Sequence, residues 1–476
     1  VKKIASFLSL LFLAWGISAA QETTAAANKP EISGRVRLFS SLYAADNPDG
    51  LFFTHEAGQF AFRRAEVRLK IAGSVNDRVS YGVRFDAFSY PGDLLDSGQF
   101  PESAFLGSPA SSEHFELGLY EGWVKVGDFL ISGLDLTAGK QRISWGTADK
   151  VGVVDNLNPI DFANFLSFDP DYFFERRPQT GINLEYYPGG AWKIQLVGLL
   201  QHQVSPLPFG YAALADKFFP MDDIVVEKGW EDSALKTAWG IRVAARPLGI
   251  DLGLSYYRGN LSLPYLRSFD LGLGQTSQGT FYYPRAGIWG LDLAGEAGGV
   301  GFWAEAAYVV PEEIDGLIAF PVYVDRNIVM YKRSFPLFEK GFWKYVLGAD
   351  YNFGGGFSLN IQFLHGFFDE VDYGEEAAET FGFRTGMFYG EPGNYVLGRL
   401  EYKFARDTVK LKFGGLVETT SNGSAFVIMP EAEFRIADAF NLVCGAFAAV
   451  SGDRQMTKFG SFRDDGQIYA GFRLDF

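Results

Sequence analysis

Gln467-Ile468-Tyr469-Ala470-Gly471-Phe472-Arg473-Leu474-Asp475-Phe476 is the stretch whose reading decides the fold. Ile468, Ala470, Phe472, Leu474 and Phe476 make one apolar row, and Gln467, Tyr469, Gly471, Arg473 and Asp475 make the other. Strand side chains alternate with a period of two, so an extended strand sorts these residues onto one apolar and one polar face.

The same rule recurs upstream. Val67, Leu69 and Ile71 oppose Arg64, Glu66, Arg68 and Lys70, and Val79, Tyr81, Val83 and Phe85 oppose Arg78, Ser80, Arg84 and Asp86. Trp239, Ile241 and Val243 oppose Gly240, Arg242 and Arg246; Leu359, Ile361 and Phe363 oppose Ser358, Asn360 and Gln362; Val409, Leu411 and Phe413 oppose Lys410 and Lys412. One such segment says little, and it is their number that carries the reading.

The connectors alternate as well. Short turns fall near Gly73-Ser74-Val75-Asn76, Gly127-Asp128, Pro188-Gly189-Gly190, Pro247-Leu248-Gly249, Gly354-Gly355-Gly356 and Arg406-Asp407. Between them run longer connections, near 44–58, 90–113, 147–177, 205–234, 263–284, 311–340 and 369–392. Short-then-long phasing is what consecutive hairpins produce when the two ends of a barrel differ. The segments predict an all-β fold over 31–476, a closed antiparallel up-and-down barrel of about 18 strands, with 16 as the alternative count.

Composition agrees. Aromatics make up 16% and charged residues 21% of 476 residues, with 46 Phe, 23 Tyr and 56 Gly, and the mean hydropathy is +0.01. Such a chain interleaves apolar and polar residues finely, as a sheet wet on one face and lipid-facing on the other requires. The one cysteine, Cys444, allows no internal disulfide and reads as a packing residue. Lys2 and Lys3, the apolar run Ile4 to Ile17 and Ser18-Ala19-Ala20 read as a signal peptide over 1–20, cleaved before Gln21. Residues 21–30 are then a short N-terminal extension, and no plug domain is expected.

Two stretches carry a resemblance. Tyr469, Gly471, Leu474 and Phe476 stand at the spacing of the C-terminal insertion signal of bacterial outer-membrane barrels. Gly139-Lys140-Gln141-Arg142-Ile143-Ser144-Trp145-Gly146, followed by Asn158-Pro159-Ile160-Asp161, resembles a group of large outer-membrane barrel proteins and, more loosely, porins for phosphate and related anions. The resemblance implies export to the outer membrane of a diderm bacterium. It implies as partners the barrel-assembly machinery, outer-membrane lipids, lipopolysaccharide and small solutes. Porins resembling this chain are often trimers, so a homo-oligomer is one option that no sequence feature fixes.

The connection 147–177 is the candidate constriction. It interleaves Asp149, Asp155, Asn158, Asp161, Asp169, Asp171, Glu175 and Arg176 with Phe162, Phe165, Phe168, Tyr172, Phe173 and Phe174, a composition poorly suited to standing free in water. It is expected either to fold into the lumen or to pack among neighbouring loops. Asp149, Asp155, Asn158 and Asp161 offer oxygen ligands but match no EF-hand spacing, so no metal and no cofactor is expected. Lumenal wall candidates are Arg64, Glu66, Arg68, Arg84, Asp86, Arg142, Arg242, Lys410 and Lys412, with Lys140, Arg78 and Arg246 on the same predicted rows. An Arg or Lys on the lipid face near the midplane would cost about 2–4 kcal/mol. The net charge of -15 must then lie largely in loops, as in 369–391, which reads as an acidic outer surface or vestibule.

The four histidines, His55, His114, His202 and His365, lie in separate segments without metal-ligand spacing or a recognisable triad motif. No enzyme is expected, and an acidic chain of this kind offers no nucleic-acid surface. The expectation is a channel for passive diffusion of small hydrophilic solutes. The alternatives are a transporter of hydrophobic compounds and a surface structural or adhesion barrel.

Overall fold

In a computed structural model the chain is described over residues 29–48, 54–89, 115–162, 175–200, 204–205, 223–227, 237–271, 277–325, 327–386, 390–420, 423–452 and 457–476. The signal-peptide and extension reading (1–28), His114, His202, and Asp169 and Asp171 of the constriction loop fall outside these.

The first strands are β1 (Glu31–Tyr43), β2 (Phe60–Ser74), β3 (Val79–Ser89), β4 (Phe115–Val126), β5 (Leu134–Gln141), β6 (Gln179–Tyr186) and β7 (Trp192–Leu199). Next come β8 (Asp223–Glu227), β9 (Ala238–Ala245), β10 (Asp251–Asn260), β11 (Tyr265–Leu271), β12 (Ser277–Tyr282), β13 (Arg285–Ala297) and β14 (Val300–Pro311). Then follow β15 (Asp315–Val324), β16 (Asn327–Pro336), β17 (Phe342–Gly354), β18 (Phe357–His365), helix α1 (Glu375–Phe381) and β19 (Asn394–Phe404). The last are β20 (Val409–Thr420), β21 (Gly423–Ala437), β22 (Phe440–Ser451) and β23 (Gln467–Asp475).

Eighteen of these strands form one antiparallel sheet, and β1 pairs with both β2 and β23, so the sheet closes. The two rows of the terminal strand divide as read: Ile468 and Phe472 face outward, while Tyr469 points inward, its hydroxyl 3.0 Å from Glu431 Oε2. Phe476 meets Gly34 through a reciprocal backbone pair (2.6 and 3.0 Å), which pins the chain end to β1.

The outer row of the wall is apolar, while the inner row carries polar and charged residues over much of its height and turns apolar where loops pack against it. In β10, Leu254 is 57% exposed while Ser255 is 4% exposed; in β18, Ile361 is 47% exposed and Gln362 6%. A soluble protein would bury the leucines. Here the exposed apolar row is the barrel's outside, the arrangement of a wall that meets lipid. Among the described residues no helix is long and apolar enough to cross a membrane.

The connections differ from expectation in two ways. The stretches 205–234, 263–284 and 311–340 contain strands, which form a second, five-stranded sheet in the order β16-β15-β11-β12-β8. Within it β11 runs parallel to β15 and β12 parallel to β8. The same two-residue period serves a wall strand and a strand above the wall, so alternation alone could not tell them apart. The strict short-then-long rhythm also breaks once, because only residues 421–422 join β20 to β21 on the long-loop side.

A dry core lies inside the barrel. Buried Ile143, Trp145, Val151, Val153, Val154, Leu157 and Ile160 pack with inward side chains of the upper wall, such as Val197, Tyr257, Ile288 and Val309. Leu337 and Phe338, after β16, and Phe367 and Tyr373, after β18, extend the same cluster.

Candidate functional site

The described part of the connection between β5 and β6 (142–162 and 175–178) folds into the lumen, and one wall carboxylate is its main anchor. Glu305, inward on β14 and 2% exposed, accepts hydrogen bonds from four loop amides: Thr147 (2.6 Å), Ala148 (2.7 Å), Val153 (2.8 Å) and Val154 (3.0 Å). A buried carboxylate is costly unless hydrogen-bonded, and buried amides need acceptors, so each solves the other's problem. Gly146 makes the approach possible: its φ is +86°, and a β-carbon there would collide with the Glu305 carboxylate.

The preceding motif locks the loop's departure. The Trp145 indole donates to Gln195 Oε1 (3.0 Å), whose amide donates to Asn183 Oδ1 (2.9 Å), and the ring lies over Gly240. The Gln141 amide reaches the carbonyls of Thr137 and Gly181 (both 3.3 Å).

Arg176 closes the loop from its other end. Its guanidinium donates to the carbonyls of Asp155, Asn158 (3.2 Å) and Gly152 (2.7 Å) and lies 3.7 Å from the Asp155 carboxylate. Asn158 spans the turn, donating to the Ile143 carbonyl (2.5 Å) and to Asp155 Oδ1 (3.0 Å). Burial pushes the Asp155 carboxyl above the ordinary aspartate range, against the pull of Arg176 and the Asn158 hydrogen bond. Asp161 pairs with Arg177 (2.8 Å), and Asp149 is exposed. The four oxygen-bearing residues 149, 155, 158 and 161 are therefore committed to different partners or to solvent, and do not converge as a cation cage.

Glu175 faces the opposite wall, 3.9 Å from Arg68 and 3.8 Å from Arg84. There Arg68 and Arg84 both clamp Asp86 (3.1 and 2.7 Å), Arg68 lies 3.4 Å from Glu66, and Arg84 stacks 3.7 Å above the Tyr120 ring. Arg64 is buried on the same inner row. Arg242 pairs with Asp292 (2.7 Å) on the far wall. Lower down, Lys412 meets Glu431 (2.6 Å) and Glu433 (3.3 Å), and Glu433 also meets Lys410 (3.5 Å) and Arg473 (3.3 Å). Arg142 is exposed, with no hydrogen bond or ion pair among the described residues. Three of the other bases do not line the lumen. Arg78 and Arg246 belong to short turns, and Lys140 lies on the outer row, where its ammonium caps the Leu119 carbonyl (2.8 Å) just past the end of the β4–β5 pairing.

The acidic stretch 369–391 is not uniformly a solvated surface. Asp369 and Glu370 are buried and grip Lys458, whose ammonium lies 2.6 and 2.9 Å from their oxygens. Burial opposes that charge, but the two carboxylates outweigh it and hold the lysine above its usual range. Glu370 also accepts the Tyr395 hydroxyl and the amides of Phe367 (2.7 Å) and Gly393 (2.9 Å). Glu418 accepts the amides of Lys458 (2.9 Å) and Phe459 (2.8 Å). Glu375 and Glu379 of α1 are exposed as expected, while Asp372, Glu376 and Glu391 are half-buried, Glu376 against Arg333. His55 is buried against Asp465 (2.9 Å), which also accepts from Asn47 (2.9 Å), whereas His365 sits at the outer end of β18. Alternation puts Glu305 among the acids of the lumenal rows, but nothing local announces that it anchors a loop, and Lys458 carries no sequence signal at all. The loop amides on Glu305 and the carboxylates on the Lys458 ammonium lie 88 to 158 positions away.

No family model and no curated protein matches the chain. Among solved structures, Pseudomonas aeruginosa OccK9 (OpdG) aligns at 10% identity with a TM-score of 0.50, over 94% of this chain and 97% of that one. Salmonella typhi OmpF in complex with daunomycin aligns at 9% identity and a TM-score of 0.40, over 94% of this chain and 98% of its own. A triple mutant of the Rh. blastica porin aligns at 12% identity and a TM-score of 0.38, over 94% and 100%. At these identities the likeness concerns architecture, and in fold the chain is a porin-like closed β-barrel of eighteen strands.

Proposed function

We propose that the protein is an outer-membrane channel through which small hydrophilic solutes diffuse, narrowed by the loop between β5 and β6. One observation carries the reading: a polar, ion-paired inner wall faces a loop fixed inside the barrel by Glu305 and Arg176. An apolar outer row facing lipid and a charged inner row together favour a water-filled interior. A loop held by four amides to one carboxylate on a distant strand is suited to setting the width of that interior, because it cannot swing freely. Charged groups on both sides, Arg68 and Arg84 on the wall and Glu175 on the loop facing them, would meet a passing solute.

Planar-bilayer recording tests the reading. The purified chain is expected to give stable conductance steps, and deleting about ten residues within 147–177 is expected to enlarge them. A folded barrel that stays silent would overturn the channel. Unchanged steps after the deletion would overturn the loop's role.

A further inference from the structure

The outer face of the barrel holds a feature that a plain lipid-facing wall does not need. Near the long-loop end of β9, β10, β13, β14 and β17, outward aromatic residues Trp239, Tyr256, Trp289, Tyr308 and Trp343 stand on five consecutive strands of the barrel. Trp239 lies 5.4 Å from Tyr256, Tyr256 4.5 Å from Trp289, and Tyr308 4.9 Å from Trp343. Rows of this kind mark the interfacial level of a transmembrane barrel. Just beyond the row stands Arg258, outward by alternation with inward, buried Tyr257.

Arg258 pairs in register with Gly287 of β13, whose missing side chain leaves a notch on the outer face that Tyr256 and Arg258 roof over, so that the glycine itself is buried. A β-carbon there would lie 3.0 Å from the Tyr256 hydroxyl oxygen and 3.6 Å from Arg258 Nη1, so both polar tips converge over the notch. Among the described residues neither tip has a hydrogen bond or an ion pair. The inner wall treats its cations differently: Arg68, Arg84, Arg242 and Lys412 all meet carboxylates. A guanidinium and a hydroxyl side by side at headgroup height, without an acceptor among the described residues, fit the oxygens of a phosphate.

We propose that Arg258 and Tyr256, over Gly287, hold a phosphate of an outer-leaflet lipid headgroup. The proposal rests on the outer-membrane placement above, and it names the lipid chemistry that one patch of the wall selects. The guanidinium supplies charge and paired donors, the hydroxyl a third donor, and the aromatic row below packs the first segment of acyl chain.

Native mass spectrometry of the full chain, purified in detergent and titrated with bis-phosphorylated lipid A or the same lipid stripped of phosphate, tests this. The wild type is expected to retain the phosphorylated lipid and not the stripped one. Arg258→Ala is expected to lower retention about tenfold, the ratio that loss of one charge-assisted hydrogen bond gives, with Arg258→Lys recovering part of it. Gly287→Val, which fills the notch and keeps the charge, should also lower retention. Arg63→Ala, at an outward arginine that lies instead 4.3 Å over the Phe60 ring, should leave it unchanged. Equal loss in Arg63→Ala would reduce the effect to general surface charge and overturn the site. So would undiminished binding by Arg258→Ala and Gly287→Val, or full displacement by millimolar inorganic phosphate. Conductance of each variant is recorded in parallel, so a barrel that conducts without selecting lipid refutes this site alone.

Discussion

Glu305 and Glu433 both point from the wall into the same lumen, yet they are satisfied in opposite ways. Glu305 meets four backbone amides of a loop and no base, and it is almost wholly buried. Glu433 meets three side-chain cations, Lys410, Lys412 and Arg473, each of whose side chains is between 21% and 29% exposed. The difference separates the interior into two regions. Around Glu305 and Lys458 the loops dock onto the upper wall and make a dry, hydrogen-bonded core. Around Glu433 neighbouring strands present a ladder of ion pairs that stays partly wet, whereas Asp86 on β3 is ion-paired yet as buried as Glu305. A buried charge with fixed partners determines where a loop sits, whereas a half-exposed pair mostly decorates the surface it stands on.

The contrast is sharpest at Lys458. Lys458→Met leaves Asp369 and Glu370 buried without their cation, and the expected loss is about 3–5 kcal/mol of stability. It would be read as a lower unfolding midpoint in detergent and as faster amide exchange across 366–393 and 457–466. A loss below about 1 kcal/mol would mean the two regions do not differ as described. Glu305→Gln comes next. The amide keeps one acceptor oxygen but turns its NH2 toward loop N–H groups, so about 1–3 kcal/mol of loop docking is expected to go. Faster exchange at Thr147, Ala148, Val153 and Val154, with noisier conductance, is the expected signature, and unchanged protection at those four amides would remove the anchor. The smallest change is expected on the wet side. Lys412→Gln should cost about 1 kcal/mol or less, because its ion pairs are partly solvated. Its effect should appear instead as a shift of reversal potential toward cation preference, and a large fall in stability would erase the distinction.

Several of these features were open to sequence reading, and the reason is local. Alternation in β2, β3, β20 and β23 sorts Arg68, Arg84, Lys412 and Arg473 onto one face because strand geometry has a fixed period. Gly146 and Trp145 were visible as a motif, but their purpose was not, since the carboxylate that Gly146 admits stands on β14. Lys140 was read onto the inner face because it is charged, although alternation with inward Thr137 and Gln141 in β5 puts it on the outer row. The β4–β5 pairing ends at Gly122 and Lys140, and the lysine ammonium reaches the Leu119 carbonyl just beyond it. The strands β8, β11, β12, β15 and β16 were hidden in stretches read as loops, because a strand above the wall carries the same period as one within it.

The sequence by itself determined the wall: a two-residue period repeated often enough to close eighteen strands, with apolar residues outside and charges inside. That follows from backbone geometry and the cost of placing charge against lipid, both of which act within a few residues. Only the tertiary structure decided what occupies the interior. The docking of loop 142–178 on Glu305, the clasp of Asp369 and Glu370 on Lys458, and the notch over Gly287 each join segments that the chain alone leaves far apart. Their energy comes from satisfying buried polar groups across the fold, and which groups meet is fixed only when the barrel closes.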